Sequence, residues 1–559
     1  MRKQGFAKIL AVLIILLIGV IVYSQLQETF SKGVEPPQQE EENEGLNEEE
    51  ERRLAEERMR EERRQREAAL REELGAFFVP LPPLERSENP PVKVKGIYVT
   101  GHTAANSKRF TELLALLDST ELNAMVIDVK NDHGYMTYPS EIEIVKEVNA
   151  NKGAVIKDID AVMAELEKHD VYPIARIVVF RDPHLPEVKP EWAIQKRNGS
   201  GQWRDPKNFA WVNPYDKRVW DYNIAIAKEA ALKGFREIQF DYVRFPENAK
   251  RVDREAEFPG ANGRAKDEAI EAFLAYARQQ LAEYNVYISA DVFGVIATSR
   301  GDADGIGQSW ERVSPQVDYI CPMIYPSHYG PGYFGYAVPD AHPGGTVSRA
   351  LTDAIKRSAP LAEPAIIRPW LQSFTATWVK GHIKYGAAEV RAQIEAALAL
   401  GIDEFLIWNP GNRYITNSYL TAAEAAQNEA ELAERRLANG HDVLGRTQAA
   451  ALDEYLTAVQ KKNWRQVYLW QVRNFTHTEE EFQLWFDSWT SSLVSYSLES
   501  GQNGSYLVAL ELKDGDTLFE MEENFTVVME NNVWKVKASR AFLDALVEPP
   551  VSGSTETSD

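Results

Sequence analysis

Between Val92 and Asn412 the chain alternates short apolar runs, rich in β-branched residues, with longer stretches of helical periodicity. The apolar runs are Val94–Thr100, Ala124–Val129, Tyr172–Phe180, Glu237–Phe245, Tyr287–Phe293, Val317–Tyr325, Ala365–Leu371 and Glu404–Trp408. Runs of this length and composition predict strands. Ser107–Leu117, Val155–His169, Val219–Lys233, Asp267–Tyr284 and Ala387–Leu400 predict helices between them. Asp216 or Lys217 should start one helix after Pro214, and Gly234 and Gly401 stand where two should stop. Eight strands alternating with helices over about three hundred residues is the size and order of a (β/α)8 barrel. A doubly wound sheet is the competing architecture. No G-x-G-x-x-G turn follows the first strand, which counts against its dinucleotide-binding form.

The flanks follow other patterns. Arg2, Lys3 and Lys8 precede the uncharged run Ile9–Tyr23, a layout that predicts a membrane anchor over 1–27 with Met1 in the cytoplasm. Phe6, Ala7 and Leu26 lengthen the run toward the ~17–20 residues a span needs. Val22-Tyr23-Ser24 is a weak cleavage pattern, so an uncleaved single-pass anchor is favoured over secretion. Residues 28–91 read as a spacer outside the membrane. Glu and Arg dominate Glu48–Glu73, with attractive i,i+4 pairs such as Glu56→Arg60 and Glu62→Arg66, and no sustained heptad. A solvated helical stalk is expected there, closed by a stiff linker through Pro80, Pro82, Pro83, Pro90 and Pro91. After a barrel over 92–420, the Ala/Glu-rich stretch 421–444 reads as a helical linker. Over 445–546, helices at Thr447–Lys462 and Glu479–Thr490 precede strands at Val494–Leu498, Tyr506–Leu512, Thr517–Val528 and Val533–Ala538. Asn531-Asn532 marks a hairpin turn in that series. Helices followed by a meander make a small α+β domain with an apolar concave face. It looks like the fold of nuclear transport factor 2 and SnoaL-like domains. The polar tail 547–559 is expected to be disordered.

Composition narrows the function. A net charge of -22 disfavours a nucleic-acid partner, which needs a basic face. One cysteine, Cys321, excludes a disulfide framework and a cysteine-held metal cluster. The 9 histidines show no metal-ligand spacing, which argues against a metal-dependent deacetylase. Neither cofactor nor metal is called for.

Catalytic groups of a (β/α)8 barrel sit at the C-terminal ends of its strands. The fourth strand carries Asp241 near its end, at the parity of Gln239 and Val243, with Arg244 at the opposite parity. The fifth carries Asp291 in Ser289-Ala290-Asp291-Val292-Phe293. An acid ending an apolar strand is unfavourable unless hydrogen-bonded or used. Asp241 could instead only pair with Arg176 of the third strand. Asp128 shares a parity with Lys130, leaving substrate contact and mutual pairing both open. Two acids with aromatic residues nearby suit glycoside hydrolysis, which needs one carboxyl to protonate the leaving oxygen and another to attack the sugar or activate water. Candidate sugar platforms are Trp203, Trp211, Trp310, Tyr325, Tyr329, Trp370 and Trp408. Tyr325–Tyr333 reads as a substrate-facing loop, and His328 and His102 could bond sugar hydroxyls.

Gly96–Thr100, Asn123–Asp132, Trp211-Val212-Asn213-Pro214, Phe240-Asp241-Tyr242-Val243-Arg244-Phe245-Pro246, Cys321–Pro326 and Trp408-Asn409-Pro410 resemble a glycoside hydrolase family first labelled a domain of unknown function, DUF4015. The resemblance covers Val92 to Tyr419. It implies a TIM barrel related to α-amylase-like and α-galactosidase-like hydrolases, with Asp241 as nucleophile. The acid after the fifth strand is Glu in the amylase-like branch, where this chain offers Asp291. The resulting expectation is a membrane-anchored extracellular glycoside hydrolase acting on an envelope polysaccharide with retention, through Asp241 and Asp291. Asp128, Arg176, Arg244, Tyr325, His328, Trp370 and Trp408 are the candidate substrate contacts. The rival is a glycan-binding or scaffold barrel without catalysis, and the discriminator is whether both carboxylates reach one pocket.

Overall fold

The structure, a computed structural model, describes residues 48–547 except 84–88, 359–360, 362–363, 441, 443–445, 473–478, 516 and 531–532. The expected anchor at 1–27, the Asn531-Asn532 turn and the polar tail beyond 547 lie outside the described residues. Among the described residues no helix is long and apolar enough to cross a membrane.

Eight strands close a parallel barrel in the expected order. They are β1 (Lys95–Val99), β2 (Ala124–Lys130), β3 (Tyr172–Val178), β4 (Glu237–Asp241), β5 (Tyr287–Phe293), β6 (Tyr319–Ile324), β7 in two pieces (Ile366–Ile367 and Trp370–Gln372) and β8 (Phe405–Trp408). β8 returns to β1 through Lys95↔Phe405 and Ile97↔Ile407. Every residue of β1 to β4 is buried, because the barrel lumen lies on one face and the helix layer on the other. That burial explains runs that are apolar at both parities. The helix Lys217–Leu232 starts as expected, with the Asp216 side chain accepting from the Arg218 N–H. Gly234 and Gly401, at φ 97° and 80°, follow the ends of two helices.

The floor of the barrel is charged. Arg368, between the two pieces of β7, is fully buried. Its Nη1 donates to both oxygens of Glu237 at 2.8 Å, and its Nε to Glu404 Oε2 at 2.8 Å. Its guanidinium lies 3.5 Å from the centroid of the Tyr319 ring. Burial raises the carboxyl of Glu404, against the pull of Arg368.

The stalk region contains one long helix, Glu48–Leu74, with exposed side chains such as Arg58, Arg60 and Glu62. The proline-rich stretch after it is not a free linker. Phe77 packs on Trp192, Val79 is buried, and Pro80 accepts a hydrogen bond from the Tyr284 hydroxyl at 2.9 Å. The Asn89 side chain donates to the carbonyls of Arg236 and Asn285. Its apolar residues satisfy barrel surface that would otherwise face water. The stretch 421–444 differs from a plain linker in the same way. Its helix Ala422–Asn439 buries Ala425, packs Leu432 on the barrel core and pairs Glu429 with Lys95.

The C-terminal unit has helices Gln448–Gln460, Trp464–Trp470 and Glu479–Asp487, then an antiparallel meander. Its strands are β9 (Ser492–Ser500), β10 (Ser505–Asp514), β11 (Thr517–Glu530) and β12 (Val533–Lys537), followed by a helix at Arg540–Val547. Phe482, Phe486 and Trp489 are core, whereas Trp464, Tyr468, Trp470 and Trp485 are half-buried against it. A hollow of about 390 Å³ lies between Tyr468, Phe482, Trp485 and Leu543, with Lys537, Arg540 and Asp544 in its wall. The expected apolar concavity is therefore mixed in character. Asp442, just before the expected start at 445, is buried and accepts from Arg446 and from the Trp534 N–H, tying it to β12.

Candidate active site

The C-terminal ends of the strands open on a cavity of about 540 Å³. Asp241 and Asp291 both line it. β4 and β5 pair in register through Phe240↔Ala290, so the two acids stand level on adjacent strands. The two carboxyls meet unlike partners. Asp241 Oδ2 accepts from Arg176 Nε at 2.9 Å and Nη2 at 2.5 Å, and its Oδ1 accepts from the Tyr242 N–H at 2.6 Å. Asp291 accepts from Trp370 Nε1 at 2.7 Å, and no ion pair to it forms among the described residues. Burial first, and the charge of Asp241 second, push the Asp291 carboxyl well above the usual range, against the Trp370 bond.

Arg176 organises the wall. Its Nη1 also donates to Asp128 Oδ1 at 2.6 Å and to Asp132 Oδ2 at 3.3 Å. Three carboxylates share one guanidinium, and they hold it charged although it is buried. Asp132 is anchored further by Arg181 at 3.1 Å; despite burial, the two arginines keep its carboxyl below the usual range. Asp128 is held from its other side by the Tyr98 hydroxyl at 2.7 Å.

Asp128 is thus a partner of Arg176 and Tyr98, and it is not among the residues lining the cavity. The pairing with Lys130 that the shared parity left open does not form either. A register shift between Asp128 and Lys130 breaks their shared parity. Lys130 instead forms a fully buried ion pair with Asp182 at 2.9 Å, beside Tyr222.

β4 ends at Asp241 rather than at Phe245. Tyr242 has φ 49°, a left-handed conformation that a bulky side chain adopts at a cost. Strand alternation stops there, so parity no longer decides where Arg244 goes. Its guanidinium lines the cavity, 4.5 Å from the Phe293 ring centroid, and Nη2 donates to Glu247 at 2.9 Å. Burial lowers the pKa of Arg244.

Tyr325, Tyr329, His328, Trp370 and Trp408 line the cavity as expected of wall residues. Trp408 stacks on Tyr98 at 4.0 Å between ring centroids. Burial lowers the pKa of His328. Trp203 and Trp211 instead belong to a small separate core, and Trp310 is fully buried with its Nε1 on Ser358 Oγ. The sequence reading passed over Asp132, Tyr242, Glu247 and Phe293, which also line the cavity. Asp132 carries a signal, an acid two residues past the end of β2.

An acid-lined cavity at the C-terminal end of a (β/α)8 barrel is the site layout of barrel enzymes. The sequence model of the DUF4015 family, described as "putative glycosyl hydrolase domain", matches residues 96–414, more than half of the chain. The protein belongs to this family, and the match contains every cavity residue named above. No curated protein matches the sequence. Among solved structures, a hypothetical protein from Ruminiclostridium thermocellum is 43% identical, with 35% of this chain and 97% of that one covered and a TM-score of 0.32. The PgaB (BpsB) glycoside hydrolase domain from Bordetella bronchiseptica is 12% identical over 57% of this chain and 94% of that one, with a TM-score of 0.43. An α-galactosidase from Thermus thermophilus is 13% identical over 61% of this chain and 62% of that one, with a TM-score of 0.37.

Proposed function

We propose that the protein hydrolyses a polysaccharide of the cell envelope with retention of configuration, Asp241 acting as nucleophile and Asp291 as acid/base. The observation that carries this reading is the pair of level carboxyls in one cavity with unlike surroundings. Every partner of Asp241 is a donor, which suits a carboxylate. Asp291 is buried beside that carboxylate, which suits a carboxyl that keeps its proton. Adjacent strands lie about 4.8 Å apart, and retention needs carboxyls about 5–5.5 Å apart.

In the first step Asp241 attacks the anomeric carbon as Asp291 gives its proton to the departing glycosidic oxygen. In the second, Asp291 takes a proton from water, which attacks the glycosyl–Asp241 ester. The carboxylate is regained and the acid reprotonated, so the cycle closes without a cofactor. Arg176 and the Tyr242 amide hold Asp241 in place, with Asp128 and Asp132 fixing the guanidinium. Full-length protein incubated with purified envelope glycans should liberate reducing ends from at least one of them. A complete absence of release favours the rival, a barrel that only binds glycan.

The acid must be protonated to act, so activity should fall as pH rises through the Asp291 pKa. The Trp370 bond favours the charged form of Asp291. Trp370→Phe removes that donor and should move the alkaline limb of the pH–rate profile to higher pH. A limb that stays in place or moves down assigns the acid elsewhere.

We also place the barrel outside the cell, tethered through Phe6–Tyr23. The support is the cluster Arg2, Lys3 and Lys8 ahead of an uncharged run. Protease added to intact cells should then remove the barrel. Loss only after lysis reverses the topology.

A further inference from the structure

Among the described residues Trp378 is the only aromatic side chain left mostly exposed, at 67%. A single apolar side chain in water needs no explanation by itself. Trp378, however, stands at the end of a connected set of rings that begins inside the cavity. Tyr325 and His328 line the cavity wall. Phe374 packs edge-on against Tyr325 at 6.0 Å and against His328 at 6.5 Å. Trp378 then lies nearly parallel to Phe374, at 6.0 Å and 21°, and 6.4 Å from the His328 ring. The indole is therefore about one ring beyond the cavity rim, and most of its surface is open.

The loop that carries it is pinned at several points. Gln372 at the end of β7 donates through Nε2 to the Phe374 carbonyl and to Asp340 Oδ1, both at 3.0 Å. Its Oε1 accepts from the Ser327 N–H, tying this loop to the one that holds Tyr325 and His328. The Ile383 N–H donates to Asp340 Oδ2, and the Tyr385 hydroxyl to the Asp340 carbonyl. Ala376, two residues before the indole, is fully buried. An exposed tryptophan on a loop with several backbone anchors is a prepared flat surface, which gives up little entropy when something stacks on it.

We propose that Trp378 is an outer glycan subsite, taking the apolar face of a sugar ring that belongs to the same chain whose neighbouring unit sits in the cavity. The inference rests on the glycan-hydrolase reading of that cavity and deepens it. A site one ring beyond the rim has a use only if the substrate continues past the cleavage point, so the substrate is a polymer rather than a disaccharide. Pyranose faces bearing axial hydrogens suit an indole, and no charge is called for at this position.

The test uses full-length Asp241→Asn protein, which binds without turnover, in native gels cast with glycol chitin, amylopectin or galactomannan. At least one polymer should retard it. Adding Trp378→Ala should weaken that retardation roughly ten-fold in apparent Kd, and Trp378→Phe should restore most of it. Inhibition of the wild-type enzyme by the matching monosaccharide should be unchanged by Trp378→Ala. Equal retardation with and without Trp378→Ala overturns the subsite and leaves the cavity reading standing. Failure of all three polymers to retard the Asp241→Asn protein overturns the subsite, and with no reducing ends released from envelope glycans it overturns the cavity reading as well.

Discussion

Asp241→Asn should lower kcat on a responsive glycan by about 10⁴-fold or more, with the fold and glycan binding kept. Asparagine has nearly the shape of aspartate, and its side-chain oxygen can still accept from the Tyr242 N–H or from Arg176. Arg176 keeps Asp128 and Asp132, so its charge stays paired. What is lost is the negative oxygen that would bond to the anomeric carbon. Asp291 also loses a neighbouring negative charge, the second largest cause of its raised pKa. The binding step depends on the cavity walls and Trp378 instead, so Kd should move far less than kcat. Initial rates of reducing-end release and polymer retardation measure the two separately. Wild-type turnover by this variant removes Asp241 from the chemistry.

Arg368→Met should destabilise the barrel by about 3–5 kcal/mol, the usual cost of leaving a buried charge without its partner. Glu237 and Glu404 lie on the barrel floor, Glu237 wholly buried, with Arg368 bonded to both. Glu404 retains the Val94 N–H, whereas Glu237 has no other partner of opposite charge among the described ion pairs. The variant should recover part of its loss as pH falls, because protonation relieves the buried Glu404 carboxylate. The sign follows from Glu404: burial already raises its folded-state pKa, so the stability it contributes is present at low pH and is lost as pH rises through that value. Chemical denaturation across a pH series measures both effects. A loss below about 1 kcal/mol, or one independent of pH, means the floor does not depend on this triad.

The barrel was legible because its strands are buried on both faces, which leaves no polar gap in runs such as Ala124–Lys130 and Tyr172–Val178. The two acids were legible for the same reason: in an apolar strand, Asp241 and Asp291 are the residues that need an explanation. What the pattern concealed was local backbone irregularity. The shift after Asp128 sends Lys130 out to Asp182, and the left-handed Tyr242 ends β4 three residues before Arg244. Both breaks interrupt the strand's alternation, so a period of two along the strand could not reveal them. Trp378 was passed over because a tryptophan between two strands resembles core until its exposure is known. The proline-rich approach to the barrel looked like a spacer by composition, yet Phe77 and Val79 are packed.

Chemical rescue tests the central assignment most directly. Asp241→Ala opens room where the nucleophile stood, and azide can enter from that face while Asp291 still protonates the leaving oxygen. Azide should then restore cleavage and yield a glycosyl azide whose anomeric configuration is opposite to that of the substrate. Rescue that gives the substrate's own configuration, or azide rescue by Asp291→Ala with inversion instead, would contradict the assignment by exchanging the two roles.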